Sequence, residues 1–149
     1  MKKILFALSL LFCSPILFGQ ILNPINWTVT SKKLKDKTYE VHLTATVNKG
    51  WHVYSQFTPD GGPVPTLISF TKNPLFDLVG NAKELGKLEQ RHEEIFGVDV
   101  KQFSDKVDFV QVLKLKSPVK TSANISVEYM VCNDRQCLPP VTKKFSVAL

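Results

Sequence analysis

The chain has 149 residues and a formal net charge of +6, with three cysteines. That length fits one domain, and no segment after the first twenty residues is long and apolar enough to be read as a membrane helix. Positive charge alone raises nucleic-acid binding. However, Lys32, Lys33, Lys35 and Lys37 cluster beside a turn without an aromatic platform and read as a solvated charge run.

Residues 1–19 read as a signal peptide. Lys2 and Lys3 precede the apolar run Ile4 to Phe12, then come Pro15 and the small Gly19. Cys13 leaves with the peptide. A lipoprotein reading of Cys13 is disfavoured by Phe12, which stands where a small residue is expected. Losing Lys2 and Lys3 lowers the formal charge to +4. Residues 20–149 are then one exported domain, in a compartment where disulfides form.

The body reads as β. In Thr38 to Val47, Tyr39, Val41, Leu43, Ala45 and Val47 share one face, and Asn48-Lys49-Gly50 is a turn. Trp51, Val53 and Ser55 alternate with His52 and Tyr54. Thr58 to Pro65 is a Pro/Gly-rich loop, Thr66 to Phe70 a short strand, and Asn73-Pro74 a break. Lys83 to Val100 suits an exposed loop with a hydrophobic tip. It carries Glu84, Glu89, Arg91, His92, Glu93 and Glu94, then Ile95-Phe96 and Gly97. The tip either packs on the domain's own surface or acts as a lid. Val107, Phe109, Gln111, Leu113 and Leu115 share one face of a long strand that ends at Ser117-Pro118. A strand running to Cys132 and a last strand from Val141 to Val147 follow. Many short strands punctuated by turns predict an antiparallel sandwich.

Cys132 and Cys137 are separated by four residues, which suits neither a thioredoxin motif nor a zinc knuckle. With Asp134-Arg135 as the turn, Asn133 faces Gln136 and Cys132 faces Cys137. Opposed Cα atoms of an antiparallel pair lie roughly 4.5–5.5 Å apart. A disulfide needs roughly 4.4–6.8 Å, so a bridge is feasible near the short limit. Alternation from Ile125, Val127, Tyr129 and Val131 puts Cys132 on the opposite, polar face with Glu128, which favours an accessible pair. The parity of Val141, Phe145 and Val147 does not continue the ladder from this turn. A bulge or kink at Pro139-Pro140 is therefore expected.

Gly50-Trp51-His52-Val53-Tyr54, His92-Glu93-Glu94-Ile95-Phe96-Gly97 and the stretch Cys132 to Pro140 carry a family resemblance. In this order they resemble the N-terminal periplasmic domain of the thiol:disulfide interchange protein DsbD, over roughly Trp27 to Val147. The resemblance implies an all-β, immunoglobulin-like antiparallel β-sandwich with a cap loop over a cysteine pair. It implies that Cys137 is the nucleophile and Cys132 the resolving thiol. It makes Ile95-Phe96 the cap tip, with Glu93, Glu94, His52 and Tyr54 lining the site. The partners implied are thioredoxin-like periplasmic proteins. The resemblance departs at the cysteine spacing, one residue shorter here, and at the cap's aromatic position, which aligns with Ile95. Neither the membrane domain nor the thioredoxin-like domain of the full-length family protein is read in residues 1–149, and the electron source is expected to be another polypeptide.

Arg135, in the turn, is a candidate to favour the thiolate, since only the thiolate attacks. Glu93, Glu94 and Asp134 would oppose thiolate formation or take part in proton transfer. No cofactor is expected. A metal site from the two cysteines and His42, His52 or His92 lacks an evident fourth ligand. No hydrolase motif is present. The expected product is a monomeric periplasmic exchange module. The alternative is a non-catalytic partner-binding sandwich with Cys132–Cys137 as a structural disulfide.

Overall fold

The computed structural model describes residues 22–149, so the signal-peptide reading of 1–19 lies outside the described residues. Eleven strands follow in order: β1 (Ile25–Lys35), β2 (Thr38–Val47), β3 (His52–Tyr54), β4 (Leu67–Phe70), β5 (Phe76–Gly86), β6 (Glu89–Glu93), β7 (Val98–Ser104), β8 (Lys106–Leu115), β9 (Ser122–Tyr129), β10 (Val131–Cys132) and β11 (Val141–Ala148). They form sheets ordered β1-β2-β8-β5, β10-β3-β7-β6 and β11-β9-β4, and every strand pair is antiparallel.

The core follows from period-two alternation. Val41, Leu43, Ala45 and Val47 of β2 meet Val107, Phe109, Leu113 and Leu115 of β8, while Ala123, Ile125, Val127 and Tyr129 of β9 close the opposite side. Val53, Phe103 and Val131 bring the β10-β3-β7-β6 sheet to the same core. Trp27 of β1 spans the layers, with its ring 5.7 Å from Phe109 and 5.3 Å from Tyr129. Burying each aliphatic or Phe side chain contributes about 1.5–3 kcal/mol, which makes these inward rows the main stabilising term.

Gln111 shares the inward parity of β8 but is polar and buried, and β5 explains it. Between Val79 and Lys83 the β5–β8 register shifts, with Gly80 at φ +67. The Gln111 amide donates to the carbonyls of Val79, Gly80 and Val112 at 3.2, 3.2 and 3.0 Å, which satisfies the irregular backbone.

The lysine run is exposed as expected, and one other segment differs. The lysine-rich stretch is the outer end of β1; Ile25 and Trp27 point inward, while Lys32, Lys33 and Lys35 remain exposed. Lys83 to Val100 is not a loop. It completes β5 and forms the β6–β7 hairpin, whose tip is only Glu94–Gly97. The charged residues Glu89, Arg91 and Glu93 lie on edge strand β6, which lacks the apolar alternation that announces a strand.

The strand to Cys132 is split at Met130. Tyr129 pairs with Val141, whereas Val131 is bonded to Leu138 and Cys132 faces Cys137. Met130 on one strand therefore opposes Pro139 and Pro140 on the other. This is the expected slip, placed at the prolines because they cannot donate to a ladder. The slip lets β10 leave the β11-β9-β4 sheet and join β3.

Candidate functional site

The turn after β10 is the predicted one. Asn133 N–H donates to the Gln136 carbonyl at 2.9 Å. The Asn133 side-chain oxygen accepts from the N–H groups of Arg135 and Gln136 at 2.9 and 2.8 Å. An Asn side chain closing its own turn replaces the second backbone bond, so Asp134-Arg135 serves where Asn-Gly is usual. Cys132 and Cys137 are joined as a disulfide with Cα atoms 4.0 Å apart, closer than the expected range.

Parity places Cys132 away from Val131 and the main core, as expected. It is nonetheless 0 % exposed, in a second small cluster with Tyr54 and Val100 and with Val98, Met130 and Cys137 against it. The expectation of a pair open to solvent is thus corrected for Cys132; Cys137 alone is partly exposed.

Covering comes from curvature and a loop. Arg91 on β6 and Asp134 after β10 belong to opposite edges of the same sheet, yet their side chains are 3.1 Å apart. Glu93 on β6 likewise reaches β3. The sheet curls over its own outer face, and the β6–β7 hairpin bends above the cysteines. The Thr58–Pro65 loop reaches this hairpin at Gly62. A Cβ on Gly62 would stand 2.8 Å from Val98 Cγ2 and 3.7 Å from Val100 Cγ1, which makes Gly62 a point of close approach.

Under the curl lies a buried polar triplet. The Tyr54 hydroxyl donates to Glu93 Oε2 at 3.0 Å, and His52 Nε2 lies 3.0 Å from that hydroxyl and 3.3 Å from Glu93 Oε2. Exposures are 3 % for His52, 0 % for Tyr54 and 4 % for Glu93. Burial raises the Tyr54 pKa far above the usual phenol value, and Glu93 adds to this, so the hydroxyl stays protonated. Burial lowers the His52 pKa; Glu93 opposes that shift and Arg91 reinforces it. His52 is the direct cross-strand partner of Cys132, which sets the triplet beside the disulfide.

The other expected residues are placed as follows. Glu94 is exposed in the hairpin tip. Ile95 is 50 % exposed, and Phe96 is partly buried outside the cluster around Cys132. The tip is closed by the N–H groups of Phe96 and Gly97 donating to the Glu93 carbonyl at 3.1 and 2.8 Å, with Gly97 at φ +67. Arg135 is exposed at the turn, and the guanidinium ion-paired there is that of Arg91. His42 pairs with Asp108 at 2.7 Å and His92 with Asp99 at 3.0 Å. Among the described residues no three His, Cys, Asp or Glu side chains are grouped to hold a metal. Sequence reasoning missed Arg91, Gly62, Val98, Val100 and Met130. Only Gly62, inside a Pro/Gly loop, carried a local signal.

Residues 22–149 match the family described as thiol:disulfide interchange protein DsbD, N-terminal. The chain belongs to the DsbD N-terminal domain family. Its fold is accordingly the immunoglobulin-like sandwich of that family. Solved structures agree at the level of fold. The reduced DsbD N-terminal domain of Neisseria meningitidis is 16 % identical, with TM-score 0.52 over 80 % of this chain and 83 % of that one. The N-terminal periplasmic domain of ScsB from Proteus mirabilis is 17 % identical, with TM-score 0.56 over 86 % and 51 %. A complex between the DsbD and PilB N-terminal domains from Neisseria meningitidis matches at 15 % identity, with TM-score 0.51 over 86 % and 88 %. No curated protein matches the sequence significantly. Among the described residues no helix is long and apolar enough to cross a membrane.

Proposed function

We propose that this DsbD N-terminal domain is a periplasmic thiol–disulfide exchange module. It passes reducing equivalents between thioredoxin-like proteins through Cys132 and Cys137, as a thiol:disulfide oxidoreductase of the protein-disulfide reductase type. The supporting observation is the asymmetry of the pair. Cys137 is partly exposed at the end of the turn, while Cys132 is wholly buried under the hairpin. A visiting sulfur meets Cys137 first, and Cys132 then resolves.

In the reduced protein the Cys137 thiolate attacks one sulfur of a partner disulfide, and the partner's other sulfur leaves as a thiolate. The Cys132 thiolate then attacks Cys137, re-forming the Cys132–Cys137 bond and releasing the second partner sulfur reduced. Two electrons move to the partner and no cofactor is needed. Ile95, Phe96 and Glu94, at the end of the covering hairpin, form the cap's outer edge, where a docking partner would displace it. Residues 1–19 act as the signal peptide, 20–149 as the working domain, and the domain acts as a monomer. A bridge across so short a loop removes little entropy from the unfolded chain, which argues against a purely structural staple.

Trapping tests this. In Cys132→Ala, Cys137 is expected to hold an exported thioredoxin-like protein as a mixed disulfide that dithiothreitol releases. A folded variant that captures nothing and whose Cys137 resists alkylation would overturn the proposal.

A further inference from the structure

The triplet beside the disulfide has a defined hydrogen-bond direction. The Tyr54 hydroxyl spends its single proton on Glu93 Oε2, so its oxygen can only accept from His52. His52 Nε2 therefore carries the ring proton. In a neutral imidazole the other nitrogen is then an acceptor, so Nδ1 holds a free lone pair. Cys132 stands directly opposite His52 in the β10–β3 ladder, and paired side chains on one sheet face lie about 5 Å apart at Cβ.

We infer that His52 is the general base for Cys132, taking the thiol proton at Nδ1 as the buried cysteine resolves a mixed disulfide. This rests on the exchange reading above. Cys132 is 0 % exposed, so water cannot stabilise its thiolate. A thiol of ordinary pKa, about 8.5, is only about 3 % ionised at pH 7.

The Cys132 S–H bond breaks and the proton goes to His52 Nδ1. The sulfur's electron pair forms the bond to Cys137 Sγ. The bond from Cys137 to the partner sulfur breaks, and its electron pair leaves on the partner as a thiolate. The pair is oxidised and the partner reduced; the imidazolium then gives its proton to solvent or to the departing thiolate. Glu93, 3.3 Å from Nε2, stabilises the imidazolium as it forms. The other groups acting on the ring are Tyr54 on its own strand, Arg91 on β6, which opposes the charge, and Asp134 in the turn, which favours it. Ser104, opposite His52 on β7, is uncharged and spends its hydroxyl on Glu89 at 3.0 Å.

The test mixes reduced full-chain protein with 5,5′-dithiobis(2-nitrobenzoate) in a stopped-flow instrument. The first thionitrobenzoate released reports Cys137 attack, the second Cys132 resolution. In His52→Gln and His52→Phe the second release is expected to slow at least about 30-fold at pH 7, the factor set by the ionised fraction of an ordinary thiol, with the first unchanged. The deficit should shrink as the pH rises and the fraction of Cys132 that ionises without His52 grows. Unchanged second release, or equal slowing of both phases at all pH values, overturns the inference. Wild-type protein with nitrogen-15 histidine gives a check that needs no variant. Nuclear magnetic resonance should find the Nε2–H tautomer at His52; the Nδ1–H tautomer overturns the inference. A wild type that releases nothing in the first phase sinks the exchange reading and this step together. A fast first phase with a His52-insensitive second sinks this step alone.

Discussion

Tyr54→Phe removes one hydroxyl and keeps the ring, which is 0 % exposed between Cys132 and Val100. The packing term is therefore nearly unchanged, and the loss is the 3.0 Å hydrogen bond to Glu93 together with the bond from His52. A hydrogen bond to a charged group contributes about 1.5–3 kcal/mol. Glu93 is 4 % exposed, so water does not replace the donor readily and the upper half of that range applies. For a domain of this size, 1 kcal/mol corresponds to about 3–5 °C in Tm. Thermal melts of the oxidised proteins by circular dichroism should show a fall of roughly 7–15 °C on that scale. A double-mutant cycle with Glu93→Gln should give a coupling of at least about 1 kcal/mol. A Tm within 2 °C of wild type, roughly 0.5 kcal/mol, or strict additivity in the cycle, would refute the claim that these groups form one buried network.

Gly62→Ala should destabilise by about 1–3 kcal/mol, since its Cβ would meet the short, branched Val98 side chain at 2.8 Å; Val98→Ala should restore most of the loss in denaturant melts, and failure to do so would place the clash elsewhere. Arg91→Ala should cost under about 1 kcal/mol, because the pair with Asp134 is exposed, yet speed iodoacetamide labelling of the reduced cysteines. Salt should raise the wild-type labelling rate and leave the variant's unchanged. Stability should also depend on pH through His52. Its pKa is lowered on folding from 6.5, so between the folded value and 6.5 the unfolded chain binds more protons. Stability is then highest above pH 6.5 and falls as the pH drops through that window. His52→Phe should flatten this fall in melts between pH 7.5 and 5.

Much of this protein is local enough to be read from residue order. Alternation marks β2, β8, β9 and β11 because an inward side chain every second residue needs only one buried face. The cysteine turn is legible for the same reason. Asn133 closes it with its own side chain, and the facing of Cys132 and Cys137 follows within six residues. The slip at Pro139-Pro140 is written in the missing N–H groups. Parity even assigns Cys132 to the side away from the main core. What parity lacks is any statement of what lies above that side. The curl that brings Arg91 to Asp134, and the seating of Gly62 on Val98, join segments tens of residues apart. Glu93 meets Tyr54 and His52 only because edge strand β6 folds over the sheet. Sheet twist and long-range packing set that curvature, so the burial of Cys132, and with it the chemistry available to the pair, belongs to the folded molecule.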